Sequence, residues 1–393
     1  MRGDMKNQEN QSCPAMTRRA ALGWAAAGGL LLAGCGGGSE DAALLPVATQ
    51  ARLQQILDAN RTLFNFPGAQ AGVWTPNGSW VGVTGVAAQG GSAPPVRADH
   101  TRIGSITKTF TVVLILQLVD KGVIGLDDPI GNYVTGLPNG DSATLRMLAS
   151  MTSGIPSYTF DDAWLAKFSS DPQAVFTPQQ LLDYVRGKAP NFAAGTKVEY
   201  SNSNTVALGL VVEQKTGLPF AQALQQNILG PLQLTQTLAA TSSAFPDPHW
   251  RGITTQADPE GVVKDPTDWN PTWGFSAGNM ISTLDDMHRW AIALGTGNGI
   301  VSPAMQAIRV ASMNSTVPPN SFQRRYALGF GGFSGWIGHT GELPGFNTSI
   351  LYDPKTGTSM VAMVNSDIPA EVNGQEANPA PTITSAFVAA LDA

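Results

Sequence analysis

The sequence predicts an α+β fold, an antiparallel sheet flanked by helices with an inserted all-helical lobe. Three observations predict it. Strand-like segments stand near both ends of the chain, and the stretch between them reads as helices joined by short loops. The 393 residues are 42% hydrophobic and 13% charged, enough apolar side chain for a large core. The expected boundaries are a sheet-bearing lobe over about 50–128 and 268–393, and a helical lobe over about 129–267.

Taken in order, QARLQQILDANRTL (50–63) carries apolar residues at helical spacing and opens the domain. AQAGVWTPNGSWVGVTGVA alternates on both sides of PNG, the pattern of a hairpin. SITKTFTVVLILQLVDKG is a helix apolar nearly all the way round and therefore buried. The helices SATLRMLASMTSGIP and NSNTVALGLVVEQKTGLP stop at Gly154 with Pro156 and at Gly217 with Pro219. Residues 241–273, rich in Pro, Asp and Trp and without period, make a long loop expected along one wall of a site. Its Trp250, Trp269 and Trp273 serve either an aromatic substrate path or ordinary packing. STLDDMHRWAIAL is a helix with a capping signature, Ser282 to Asp285 or Thr283 to Asp286. Strands return in YALGFGGF, GWIGHTG, NTSILYD and TSMVAMVN, and the helix TITSAFVAALDA closes the chain.

The N-terminus reads as an export signal over residues 1–35: Arg18 and Arg19, an apolar run, then small residues ending at Cys35. LLAGC resembles the bacterial lipobox, which would make Cys35 the acylated first residue of the mature protein. Residues 36–49 are then a flexible tether. The expected location is outside the cytoplasmic membrane, periplasmic or cell-surface, held by a lipid anchor. Both cysteines, Cys13 and Cys35, fall in this leader, so the mature domain is expected to lack disulfides and thiolate metal sites. His100, His249, His288 and His339 are scattered without ligand spacing, which speaks against zinc; no metal or cofactor is expected. A net charge of −6 without any basic run speaks against nucleic acid.

The chemistry concentrates in RIGSITKTF (102–110). One reading makes Ser105 a helix N-cap and Lys108 a solvated first-turn residue. The other makes them a reacting pair, i and i+3 on one helix face. A first-turn lysine faces the positive end of the helix dipole, and this helix shows no wet face. Both disfavour the charged form, as a proton-accepting amine requires. VEYSNSN supplies Tyr200 and Asn202 just ahead of a helix, where Ser201, Asn202 or Ser203 could equally be the cap. Three fragments compete for the remaining wall. KTG at 215 ends a helix and KTG at 355 makes a turn, whereas HTG at 339 runs along a strand with no cap or turn role. His339 is therefore chosen. GFSAG (274–278) matches the nucleophile elbow of α/β-hydrolases through Ser276, but a Pro/Asp/Trp loop precedes it instead of a buried strand.

These pieces, in this order, resemble the serine β-lactamase and penicillin-binding protein superfamily over about residues 50–390. TLRMLASMTSGIPSY, ILGPLQLTQT, SAGNMISTLDDMHRWA and HTGELPGF look like elements of the branch holding class C β-lactamases, D-alanyl-D-alanine carboxypeptidases and family VIII-type esterases. The resemblance implies a β-lactamase/transpeptidase-like fold and roles for particular residues. Ser105 would be the acylated nucleophile, Lys108 its proton acceptor and Tyr200 a general base or acid. Asn202 would bond the substrate amide, and His339, Thr340 and Gly341 would form the strand beside the scissile bond. The backbone N–H groups of Ser105 and Glu342 would hold the oxyanion. Two departures matter. β-Lactamases of the branch carry lysine where His339 stands, and an imidazole grips a substrate carboxylate less firmly. Glu342 replaces a small residue, adding a carboxylate at the mouth that would repel anionic or favour cationic substrates. Met151, where many relatives have histidine, receives no role. The expected activity is a carboxypeptidase-type peptidase or esterase on a peptide or small molecule. The alternatives are a class C-type β-lactamase, or a tethered penicillin-binding protein with little turnover.

Overall fold

A computed structural model describes residues 43–391, with Pro259 left aside. The expected leader and its lipidation site, Cys35, lie outside the described residues. The opening elements are α1 (Val47–Phe64), the hairpin β1 (Gly68–Thr75) and β2 (Gly78–Gly85), the short β3 (Thr101–Arg102), and α2 (Thr107–Asp120). Next come α3 (Leu145–Ala149), α4 (Asp162–Ser170), α5 (Pro178–Asp183), α6 (Asn202–Thr216), α7 (Phe220–Leu224) and β4 (Leu238–Ala239). After a long loop follow α8 (Phe275–Gly278), β5 (Met280–Ser282), α9 (Leu284–Thr296), α10 (Pro303–Ala311) and the strands β6 (Arg325–Tyr326), β7 (Gly331–Phe333), β8 (Trp336–Leu343), β9 (Phe346–Tyr352) and β10 (Ser359–Val364). The last helix is α11 (Pro379–Leu391).

Seven strands form one sheet in the order β2-β1-β10-β9-β8-β7-β6, every pairing antiparallel. The first hairpin meets the late strands within it, where Ala69 pairs with Val364 and Val73 with Met360. Strand β10 reads SMVAMV because both of its faces are covered. Met360, Ala362 and Val364 join Leu53, Leu57, Ile383 and Phe387 beneath α1 and α11. Val361 and Met363 join the larger core around α2, α6 and α9. The fold is therefore the expected sheet between helices with an inserted lobe.

Local expectations fared unevenly. The PNG turn is a tight hairpin with Thr75 opposite Gly78, and α2 is buried from Thr107 to Leu116 as its composition demands. Residues 43–49 do not form part of the expected tether. Leu45 N donates to Ser79 O at 3.0 Å and α1 starts at Val47, so 43–49 belong to the folded domain. The lobe is not wholly helical either, since Leu238–Ala239 pairs with β5, which also pairs with β3. The capping signature of α9 is not used. Thr283 occupies the N-cap without a side-chain bond, and the buried Asp286 accepts instead from Gln236 N and Thr237 Oγ1. A carboxylate that satisfies two donors on the lobe strand gains more than one that closes a local loop.

Candidate active site

Strand β3 delivers the chain into a 3₁₀ turn, Gly104–Ile106, from which α2 departs. Ser105 therefore sits inside the turn and makes no capping bond, which removes the N-cap reading. Gly104 has φ +49°, and a Cβ there would stand 2.5 Å from Glu342 N. Reciprocally, a Cβ on Gly341 would stand 1.9 Å from Ile103 O and 3.2 Å from Ser105 N. Two glycines on different elements thus let β8 press against the serine turn, side by side with the Ser105 and Glu342 amides. Neither glycine's packing was foreseen in the sequence, although G-S at the head of an apolar helix carried the signal.

Lys108 is fully buried. Its Nζ lies 3.0 Å from Ser105 Oγ, donates to Ala277 O at 2.6 Å, and stands 4.8 Å from the centroid of the Tyr200 ring. Desolvation lowers its pKa well below that of a free lysine. The Ala277 carbonyl comes from α8, which holds the GFSAG string. Ser276 there is fully buried, its Oγ donates to Thr205 O at 2.8 Å, and a 3₁₀ turn rather than a strand precedes it. The elbow match is a structural peg that presents a carbonyl to Lys108. Ser276→Ala is expected to lower the melting temperature by a few degrees and leave turnover within about threefold, checked by thermal unfolding and steady-state kinetics.

Tyr200 precedes α6, with its ring 6.5 Å from the His339 ring and 6.0 Å from that of Tyr326. Burial raises its phenol pKa above the usual value, and the Ser105 hydroxyl opposes that shift. Met151, which the sequence left without a role, brackets this tyrosine: Glu199 N donates to Met151 O at 2.8 Å and Ser201 N to Met151 Sδ at 3.5 Å. Asn202 Nδ2 donates to Thr159 Oγ1 at 3.1 Å, so its amide oxygen is the atom left to accept from a substrate N–H. Ser201 holds the N-cap position without a bond, and Ser203 Oγ accepts from Tyr158 N.

His339 is 6% exposed on β8 and lies behind the cavity wall. Its Nδ1 donates to Thr340 O at 2.5 Å, because a carbonyl only accepts, and Nε2 therefore accepts from the Tyr326 hydroxyl at 3.0 Å. Desolvation, reinforced by Lys108, lowers its pKa to about 4, so the ring is neutral at pH 7. Thr340 and Gly341 continue the strand opposite Ser349 and Thr348.

The cavity over Ser105 is about 430 Å³. Tyr158, Phe160, Trp164, Phe168 and Trp273 form its aromatic side, while Tyr200, Asn202, Gln256 and Glu342 supply polar groups. Gln256 and Ala257 bring the long loop to one wall as expected. Of its three tryptophans only Trp273 reaches the cavity. Trp250 is fully buried with its Nε1 donating to Asp99, and Trp269 lines a neighbouring crevice. Trp164 and Phe168, on α4, were not anticipated, because their helical spacing reads equally well as core.

A family model described as Beta-lactamase matches residues 53–379. The chain belongs to the β-lactamase family. This β-lactamase family member is 28% identical to Protein flp of Staphylococcus aureus (strain MW2) over 292 residues, 69% of this chain and 54% of that protein. It spans about half the length of the curated relatives it matches. Among solved structures, a D-stereospecific amidohydrolase from Streptomyces sp. superimposes with a TM-score of 0.76 at 30% identity, covering 86% of this chain and 98% of that one. A penicillin binding protein from Bacillus halodurans gives 0.70 at 19% identity, covering 85% and 98%, a likeness of fold alone. The family's members of this kind are serine hydrolases and penicillin-binding proteins.

Proposed function

We propose that this protein is a serine acyl hydrolase that cleaves esters or amides through a covalent intermediate on Ser105. The observation that carries the reading is the 3.0 Å approach of Lys108 Nζ to Ser105 Oγ, on an amine wholly buried and lowered in basicity. Ser105 Oγ attacks the substrate carbonyl as its proton passes to Lys108. The Ser105 and Glu342 amides receive the oxyanion, and Tyr200 protonates the leaving group. Water then enters by the reverse path and releases the acid. Asn202 accepts the substrate N–H.

Charge in the cavity favours the esterase or amidase side of this chemistry over a carboxypeptidase. No lysine or arginine lines it among the described residues, and His339, the one imidazole near the site, is neutral. A free substrate carboxylate beside the scissile bond therefore finds no cation. The 30% identity to a D-stereospecific amidohydrolase supports amide cleavage. The leader ending at Cys35 supports a lipid-anchored hydrolase outside the cytoplasmic membrane.

The test is parallel turnover of a p-nitrophenyl ester, an amino-acid amide, a D-Ala-D-Ala peptide and a chromogenic cephalosporin by the wild type and by Ser105→Ala. Ester or amide turnover that Ser105→Ala reduces at least a thousandfold is expected. Activity that survives in Ser105→Ala, or penicillin labelling of Ser105 with no ester or amide hydrolysis, overturns it.

A further inference from the structure

Glu342 is the one residue with a formal charge among the described residues that line the cavity. Both of its oxygens are held. Gln256 Nε2 donates to Oε1 at 3.0 Å and Asn378 Nδ2 to Oε2 at 2.7 Å. Each oxygen keeps a second lone pair, so the clamp orients the carboxylate without saturating it. Its charged neighbours are acids, Asp367 and Glu376, and Asp367 shares the same Gln256 amide at 2.6 Å. Glu342 is solvent-accessible at the cavity mouth, its charged neighbours are acids, and no cation pairs with it among the described residues, so it presents unneutralised negative charge to a molecule entering the cavity.

We propose that Glu342 is a specificity-determining residue that receives a protonated amine on the acyl side of the substrate, selecting aminoacyl amides and esters with an aromatic or bulky apolar side chain. This rests on the acyl-hydrolase reading above. The position follows from the backbone. The Glu342 N–H stands beside the Ser105 amide, so its side chain departs next to the carbonyl oxygen those amides would hold. An amine on the carbon adjacent to that carbonyl comes within reach of the carboxylate. The side chain on the same carbon faces Tyr158, Trp164, Phe168 and Trp273. The phenols of Tyr158 and Tyr200 stay neutral, because burial raises both. Lys108 lies beneath Ser105, its charged form disfavoured by burial.

The experiment compares phenylalaninamide, as both enantiomers, with 3-phenylpropanamide, which lacks only the amine. In the wild type kcat/KM is expected to favour the amine-bearing amide by more than tenfold. In Glu342→Gln that ratio is expected to fall at least tenfold, mainly through KM. A second readout uses the wild type alone. Phenethylamine, cationic throughout pH 6–8, is expected to compete with an uncharged ester, more tightly at pH 8 than at pH 6. Desolvation and Asp367 push Glu342 up to about 7, so its charge grows across that range; Glu376 and Tyr200 are the other titratable groups it faces. An unchanged ratio in Glu342→Gln, or no competition by phenethylamine, overturns the proposal while ester hydrolysis at Ser105 still stands. Loss of all hydrolysis in the wild type is the separate failure of the underlying reading, and calorimetric binding of phenethylamine then still decides this one.

Discussion

Lys108→Met is expected to lower kcat by at least a thousandfold and to raise the melting temperature by about 2–4 °C at pH 7. The first effect follows from contact. Lys108 Nζ is 3.0 Å from Ser105 Oγ, and methionine fills the same volume without a lone pair for the proton. The second follows from burial. The amine is fully enclosed, its pKa is lowered by desolvation, and it forms no ion pair among the described residues. Between its folded and unfolded pKa values the unfolded chain binds the extra proton, so this group subtracts stability throughout that window. Its penalty disappears as pH rises through the pKa of a free lysine, about 10.4. The variant loses the bond to Ala277 O, which offsets part of the gain. Thermal unfolding from pH 6 to 10 checks the sign: the excess stability of Lys108→Met should shrink as pH rises. Equal melting curves, or turnover within tenfold of wild type, would show that the amine is merely structural. For the wild type, kcat/KM should fall on the acid side as the amine gains its proton.

The second large effect is geometric. Gly341→Ala places a methyl 1.9 Å from Ile103 O, which forces β8 away from the serine turn. Backbone overpacking of this kind costs about 1–3 kcal/mol, and an oxyanion donor displaced from its acceptor costs about 100- to 1000-fold in rate. Gly338→Ala separates the two contributions. Its Cβ would meet Ile350 O at 2.0 Å, between β8 and β9 and away from Ser105. Both variants should melt at lower temperature, but only Gly341→Ala should lose most of its kcat per folded molecule, with folded fraction read by circular dichroism and active sites by fluorophosphonate titration.

Ser105 with Lys108, and His339, stood out in the sequence because each broke a local rule, whereas Tyr200 entered only as the proton carrier that a serine–lysine pair needs. A lysine at the wrong end of an oily helix, and an HTG string with no turn to make, have no cheap explanation in secondary structure. Met151, Tyr326, Gln256 and Asp367 broke none. A methionine in a helix-rich segment, or a glutamine in a loop, is ordinary until the fold sets its sulfur beside Ser201 N or its amide between Glu342 and Asp367. The α9 cap failed for the opposite reason. Its sequence obeyed the local rule, but a tertiary bond to Thr237 took the carboxylate.

The pairing of β1 with β10 also governs how the chain reaches this state. Gly68 N donates to Asn365 Oδ1 at 2.7 Å across 297 residues. During synthesis the first hairpin must wait, one edge unpaired, until Asn365 and strand β10 have emerged. Closure over such a separation is slow, and the waiting edge is a template for another molecule. Refolding yield should therefore drop steeply with concentration, and a nascent chain halted before Asn365 should need a holdase to stay dispersed.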